Sequence, residues 1–372
     1  MTTNPEQASD VAQIDILIPL FNAAETLDAS LASLAEQSFT DFRVILIDDG
    51  STDATGAILA RWAARDARFT VITKPNSGIV DSLNMGLAAV TAPFVARLDG
   101  DDIALPARLA EQHAYLALHP GCVAVGCRVQ HIDGAGKPLP GFPQPGDPQE
   151  SDMWRLPARE PYIVHPFLMA RTDALRAVGG YRRVPHSEDS DLFWRLSELG
   201  TLHNLPQTLG QYRMHMESIS GSSILNGRVM AVGSQLGAVS AQRRCTGVAD
   251  VPLGPDLIDR LRQAGQLEAM AALVSPMLTV VELPRFRLAI ALKLLELANY
   301  RPYEIESSDC AFLNATLEPA IQSVGRENLI AIDWFLTQTA SRLARRGRVR
   351  DALTLVPRRL WVRTALKVLL RR

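Results

Sequence analysis

Cysteine is scarce in this chain. Its 372 residues include four, Cys122, Cys127, Cys245 and Cys310, with no Cys-x-x-Cys pair and no clustering of the seven histidines. That argues against a zinc site and against a disulfide framework, and thiols in a reducing compartment fit best. Long apolar runs are lacking as well: none reaches the roughly 18 residues that cross a bilayer. Residues 1–10 are polar, without the basic start and apolar centre of a signal peptide, so a cytoplasmic location is expected. There is no excess of one charge. The net value of −2 decides nothing about nucleic acid by itself, and no nucleic-acid partner is expected. No internal repeat or long low-complexity tract is evident. What is present is an ordinary globular composition, 47% hydrophobic and 21% charged, which can bury a large core. At this length two domains are the first expectation.

Apolar runs predict buried strands within residues 14–22, stopped by Pro19, and over 43–47, 69–73 and 94–98. Helical spacings lie between them. Leu27, Leu31 and Leu34 share one face, as do Ile58, Leu59 and Trp62, and then Ile79, Leu83 and Leu87. Pro106 suits the first residue of a fourth helix, with Leu109, His113 and Leu116 along one side. Alternating strands and helices imply right-handed βαβ units and a mainly parallel sheet covered by helices. Ligands of such sheets bind beyond the carboxyl ends of the strands. Four polar segments fall there: residues 19–22, 48–51, 74–78 and 99–102.

The last of these carries the most chemistry. Asp99-Gly100-Asp101-Asp102 follows directly on an apolar strand. Carboxylates a few ångströms apart repel, and ionisation of one hinders the next. A hard divalent cation such as Mg²⁺ or Mn²⁺ removes that cost. Mg²⁺ takes only one or two protein carboxylates and fills its shell with water and substrate phosphates. A strand-end Asp-x-Asp therefore suggests a metal that carries a diphosphate; the alternative is a solvated acidic turn.

The chain resembles the family 2 glycosyltransferases of the GT-A fold. The matching residues are Ile18-Pro19-Leu20-Phe21-Asn22, Asp48-Asp49-Gly50-Ser51-Thr52-Asp53, Asn76-Ser77-Gly78 with Asn84, and Arg97-Leu98-Asp99-Gly100-Asp101-Asp102 with Pro106 and Arg108. Further on come His165-Pro166, Gly179-Gly180-Tyr181, Glu188-Asp189-Ser190-Asp191-Leu192, and Tyr212-Arg213-Met214-His215 with Ser218-Ile219-Ser220. Each motif is weak alone; their order and spacing are specific. The resemblance covers residues 12–222 and leaves the rest unassigned.

The resemblance implies an inverting transfer of a sugar from a nucleotide sugar, a UDP-sugar first, to a hydroxyl of a glycan or lipid-linked acceptor in cell-surface polysaccharide synthesis. It places Pro19, Phe21, Asn22 and Asp49 around the nucleoside, with Asp48 beside it, and brings Asn76, Gly78 and Gly100 to the donor. Residues 48–53 also suit a turn in which Ser51 or Thr52 caps the next helix. Lys74 is either a donor contact or a solvated strand-end lysine. Asp101 is the first choice for direct ligation of Mn²⁺ or Mg²⁺, Asp99 contacts ribose or metal, and His215 sits where related enzymes carry a donor-phosphate or metal contact. Arg97 suits pairing with a carboxylate. Arg108 is expected to pair with an acid on its own helix. Glu188, Asp189 and Asp191 open a helix, where acids complement the macrodipole. An inverting transfer also needs one carboxylate to take the acceptor proton. The family places that base here: Asp189 first, Asp191 next, Glu188 as partner. His165 and Trp194 are further pocket candidates.

Two alternatives remain at this level. A nucleotidyltransferase shares the sheet and a metal, but usually has a glycine-rich basic loop after its first strand; Pro19-Leu20-Phe21-Asn22-Ala23-Ala24-Glu25 has neither glycine nor base. A non-catalytic sugar- or nucleotide-binding protein is the other.

The expected organisation is a disordered 1–12, a GT-A domain over 13–222, a helical region over 223–340 and a basic amphipathic segment over 341–372. Residues 134–148, with five prolines and four glycines, form a loop that the resemblance places near the acceptor. Residues 342–372 hold eleven Lys/Arg against one acid, Asp351. Interleaved with Leu360, Trp361, Leu366, Leu369 and Leu370, they suit an interfacial basic helix. The expected partners are therefore the donor, the acceptor, an anionic membrane surface on its inner face, and a second copy as a homo-dimer.

Overall fold

A computed structural model describes residues 11–214, 223–300, 303–320 and 324–370. Two compact units divide the chain. The first draws on residues 1–150, 161–182 and 195–214, the second on 151–160, 183–194 and 215–372. The expectation of disorder falls mostly on residues 1–10, outside the described residues, as do His215 and the Ser218-Ile219-Ser220 motif.

In the first unit the chain runs β1 (Ile14–Leu20), α1 (Leu27–Ala35), β2 (Phe42–Asp48), α2 (Thr55–Arg65), β3 (Phe69–Thr73), α3 (Ile79–Ala89), β4 (Phe94–Arg97), β5 (Ile103–Ala104), α4 (Arg108–Leu118), β6 (Cys122–Ile132), β7 (Met169–Arg171) and α5 (Thr172–Ala177). Strand β8 (Thr201–Arg213) completes this unit, and helix α6 (Glu188–Ser197) ahead of it starts in the second. The eight strands form one sheet in the order β3-β2-β1-β4-β7-β6-β8-β5. From β3 to β4 all pairs are parallel. β7 runs antiparallel to both β4 and β6, β6 pairs parallel with β8, and β5 runs antiparallel to β8. The sheet is thus parallel in its first half and mixed in its second.

Its central strands are buried on both faces, which is why they read as unbroken apolar runs: Ile14, Ile16, Ile18, Val44, Leu46 and Ile47 have no exposed surface. One carboxylate interrupts them. Asp15 is fully buried on β1, and a buried charge must be paired and hydrogen-bonded. Arg43, its register partner on β2, donates two bonds of 2.8 Å, and the Thr91 and Ala92 amides donate at 2.7 and 3.1 Å.

Helix α4 begins at Arg108, two residues after Pro106. Arg108 departs from expectation. It pairs with no acid on its helix; its fully buried guanidinium donates to the Arg97 carbonyl at 2.6 Å and to Gln112 Oε1 at 3.1 Å. Burial pulls its pKa down to about 10. It serves as a clamp beneath the end of β4.

The second unit is helical: α7 (Ile224–Cys245), α8 (Leu257–Ala264), α9 (Leu267–Val274), α10 (Glu282–Tyr300), α11 (Ser307–Ala320), α12 (Arg326–Arg345), α13 (Val349–Leu355) and α14 (Trp361–Leu369). Its core gathers Val232 and Leu236 from α7, Phe286, Ile290 and Leu294 from α10, Leu313 from α11, and Leu336 and Leu343 from α12. Two arginines of α7 fasten it. Arg228 donates twice to Asp309 at 2.8 Å and once to Glu306 at 2.7 Å. Arg243 donates twice to Glu282 at 2.8 Å.

The second pair sets a pH dependence. Hydrogen bonding from Arg243 holds the Glu282 pKa down at about 2 against an ordinary 4.5. A carboxyl lowered on folding stabilises fully above its unfolded pKa, and that stability is lost as pH falls through the folded value. Solvent screens this partly exposed pair, so Glu282→Gln should cost about 1 kcal/mol at neutral pH. The gap from the parent should close between about pH 4.5 and pH 2. Urea unfolding across that range measures it; a gap independent of pH contradicts the pairing.

The basic segment expected as one helix is broken into pieces. Gly347, at φ +80°, follows the end of α12. Pro357 precedes a single 3₁₀ turn, Arg358–Leu360, ahead of α14. Part of its charge is neutralised within the unit: Arg346 pairs with Glu304 at 3.0 Å, Arg348 with Asp351 at 2.7 Å, and Arg359 with Asp333.

Candidate active site

The carboxyl ends of β1 and β2 are stitched together by short polar side chains. Asn22 has φ +52°, in the left-handed region that Asn tolerates better than most residues. That turn lets its amide donate to Ser51 Oγ at 3.0 Å while its Oδ1 accepts from the Thr52 amide at 2.8 Å. Ala23 donates to Thr55 Oγ1 at 2.9 Å and Ala24 to Asp53 Oδ2 at 3.1 Å. So Ser51 and Thr52 do not cap α2; they lock the loop after β2 to the loop after β1. Beside Pro19 and this junction, Phe21 stands 52% exposed.

Asp48 and Asp49 organise the neighbouring loops. Asp48 Oδ1 accepts from the Ser51 amide at 3.0 Å. Asp49 accepts from the Ser77 and Gly78 amides at 2.8 and 2.9 Å and pairs with Lys74. Asn76 donates from Nδ2 to the Asp49 carbonyl at 3.0 Å. Lys74 is 7% exposed and also reaches Ser77 Oγ at 2.6 Å. It is not the solvated lysine that was one of its two readings. Gly78, at φ +92°, then starts α3.

At the end of β4 the acidic turn is held from outside. Ser30 of α1 donates to the Asp99 carbonyl and Thr26 to the Gly100 carbonyl, both at 3.0 Å. Gly100 sits close under Leu20: a Cβ there would lie 2.4 Å from Leu20 Cδ2 and would push that side chain aside. Arg97 donates to Asp99 Oδ1 at 2.6 Å. Arg213, the last residue of β8, donates through its amide to Asp102 Oδ1 and through Nε to the Asp101 carbonyl, both at 2.7 Å. Its NH1 also donates to the Asp133 and Gly134 carbonyls at 3.0 and 2.8 Å, tying down the start of the proline-rich loop.

One oxygen each from Asp99, Asp101 and Asp102 lies within 4.8 Å of the others. Desolvation pushes the Asp99 carboxyl up to about 6; Arg97 opposes the shift and Asp101 adds to it. Asp102 is pushed well above the ordinary range by burial, then by Asp101 and Asp99. Its Oδ2 is buried and has no hydrogen-bond partner among the described residues. Such an oxygen is costly unless something positive meets it. Three converging all-oxygen donors with one left over fit a hard divalent cation.

His165 is buried and its ring meets the Tyr181 hydroxyl at 2.9 Å. Burial, aided by Arg97, drives its pKa well down, so it is neutral there. Asn84 bonds both the amide and the carbonyl of Tyr181, at 2.8 and 2.9 Å.

The second acidic group belongs to the second unit. Glu188, Asp189 and Asp191 form the first turn of α6. Asp191 is buried, whereas Glu188 and Asp189 are partly exposed. Asp189 Oδ1 accepts from the Ser190 amide at 2.8 Å. Glycines of α7 permit close packing here: a Cβ on Gly233 would lie 2.0 Å from the Pro185 carbonyl, and one on Gly237 3.8 Å from Asp191. Trp194 is no pocket wall. It is buried among Ala158, Ala238 and Ala241.

Sequence reasoning gave Arg213 no role beyond its place in the Tyr212-Arg213-Met214-His215 motif, and gave Asp102 only a supporting part. Arg213 lies 112 residues from the carbonyl it holds, and only the pairing of β8 with β5 brings it near the turn.

The acidic turn stands at the carboxyl end of β4 in the parallel half of the sheet, the rim where ligands of such α/β sheets bind. The family model described as glycosyl transferase family 2 matches residues 15–179. The putative glycosyltransferase EpsE of Bacillus subtilis (strain 168) is 33% identical over 211 residues, covering 54% of this chain and 73% of that protein. The amylovoran biosynthesis glycosyltransferase AmsE of Erwinia amylovora is 31% identical over 218 residues, 57% of this chain and 78% of that protein. Among solved structures, the mannosyltransferase PcManGT from Pyrobaculum calidifontis in complex with GDP-Man and Mn²⁺ superposes with a TM-score of 0.50 at 16% identity, covering 98% of this chain and 89% of that one. That likeness supports the fold alone. The chain belongs to the family 2 glycosyltransferases, and its first unit has their GT-A fold.

Proposed function

We propose that the chain transfers a sugar, with inversion, from a UDP-sugar to a hydroxyl of a glycan or lipid-linked acceptor during cell-surface polysaccharide synthesis. It works in the cytoplasm, at the inner face of an anionic membrane. The observation that carries this reading is the convergence of Asp99, Asp101 and Asp102 at the end of β4, with Asp102 Oδ2 left unanswered.

The donor lies over the strand ends. Phe21 offers its exposed ring to the base, and Pro19 and Asn22 shape the wall beneath it. Asp48, Asp49 and Lys74 act by fixing the loops that carry Asn76 and Gly78. Asp99 and Asp101, with His215 as a third group, would hold Mn²⁺ or Mg²⁺. Bound there, the ion supplies Lewis-acid stabilisation of the departing diphosphate. Arg97 and Arg213 keep the turn in place through the Asp99 carboxylate and the Asp101 carbonyl.

Asp189 takes the proton of the acceptor hydroxyl. The new bond forms at the anomeric carbon as the bond to the diphosphate breaks on the opposite side, which inverts the centre. Asp189 suits the role better than Asp191 because a base must be reachable by substrate, and Asp191 is buried. Release of free nucleoside diphosphate, dependent on acceptor, tests the reading. Release of pyrophosphate would favour nucleotidyl transfer, and binding without turnover a non-catalytic protein.

A further inference from the structure

Helix α14 of the second unit is turned the wrong way for a core helix. Val362, Leu366 and Leu369 recur at i, i+4 and i+7, one face of a helix, and are 72%, 52% and 78% exposed. Trp361 and Leu370 widen that face and are exposed too. The residue α14 buries is the polar Thr364. A helix that contributes to a core does the reverse. On α12, Ile330 and Trp334 add exposed apolar surface.

The charge around this surface is mostly basic; Glu304 holds Arg342 and Arg346, and Asp333 holds Arg359. Trp334, Leu366 and Leu370 share a cleft with Arg363 and Lys367. Trp334 also borders a second cleft, of about 540 Å³, with Arg342, Arg345 and Arg346. Between residues 342 and 370 there are nine Lys/Arg and one acid, Asp351, which Arg348 already holds. Among the described residues, no carboxylate pairs with Arg345, Arg350, Arg363 or Lys367.

We propose that this face docks on an anionic lipid bilayer. Val362, Leu366 and Leu369 enter the acyl boundary, Trp361 and Trp334 sit at headgroup depth, and Arg345, Arg363 and Lys367 meet lipid phosphates. An in-plane helix needs this combination of apolar face and basic flanks, and each basic residue adds to the attraction of an anionic surface. A second copy of the chain is a poor occupant, because it would bring the same unneutralised cations against these. No helix among the described residues is long and apolar enough to cross a membrane, which leaves α14 lying in the interface. The proposal deepens the membrane partner named above and rests on that reading.

Co-sedimentation of the full chain with vesicles tests it and needs no turnover, so its failure is distinct from failure of the transferase reading. The parent should pellet with mixed phosphatidylglycerol–phosphatidylcholine vesicles, not with phosphatidylcholine alone, and less as salt rises. Arg363→Glu with Lys367→Glu should weaken binding at least about tenfold, and Leu366→Ser with Leu369→Ser should do the same. Equal binding to neutral vesicles, no binding to anionic ones, or variants that bind like the parent would overturn the proposal. So would a parent dimer in sedimentation velocity that the leucine variant splits. If either variant fails to fold, brominated lipid in the anionic vesicles decides on the parent alone. Quenching of its tryptophan emission supports insertion, and unchanged emission rules it out.

Discussion

Asp101→Ala abolishes the stabilisation that UDP and Mn²⁺ together confer, while leaving the fold intact: this is the largest binding effect expected. A ligand that binds only the folded state, at about 100 times its Kd, stabilises by about 2.7 kcal/mol. The parent should gain that and the variant nothing, with unchanged far-ultraviolet circular dichroism. The fold should survive because the turn is held through main-chain atoms, by Ser30, Thr26 and Arg213 acting on the carbonyls of Asp99, Gly100 and Asp101. Removing the Asp101 carboxylate leaves those bonds in place and relieves the like-charge pressure on Asp99 and Asp102. Thermal-shift titration with and without Mn²⁺ measures the effect. If Asp101→Ala and Asp99→Ala both bind nucleotide and metal like the parent, the donor site lies elsewhere.

Asp189→Asn lowers turnover by at least about 10²-fold, the range for a lost general base, with donor affinity nearly unchanged. The amide keeps the side chain's shape and its capacity to accept from the Ser190 amide, so a loss of rate isolates the loss of basicity. Initial rates at saturating donor, with UDP affinity measured in parallel, separate the two quantities. Near-parent turnover would shift the role to Glu188 or Asp191. Full activity in all three single variants would remove the base from this turn.

The parallel half of the sheet was legible because its strands are buried on both faces and its helices on one, and each condition leaves its own period in the sequence. The predicted third strand coincides with β3, and the polar strand ends fall on one rim. The second half was not legible. β7 has three residues and β5 two, too short for any period, and β8 contains Pro206. Mixed pairing follows from contacts that span many residues. The same limit explains the errors at single residues. Ser51 looks like a cap because local bonding is the usual fate of such a residue. Its actual partner is the Asn22 amide, 29 residues away. Arg108 looked for an acid on its own helix and found carbonyls of the sheet instead. The amphipathic pattern of α14 is visible in the sequence; which face points outward is not, because the period is the same either way.

Acceptor-dependent release of nucleoside diphosphate from a nucleotide sugar tests the central claim most directly. The metal-stripped protein is assayed with EDTA, then with Mn²⁺ restored, beside Asp101→Ala. The account predicts release that requires both acceptor and Mn²⁺, returns when the metal is restored, and is absent from the variant. Release at the parent rate in EDTA, or from Asp101→Ala with Mn²⁺ present, would contradict it.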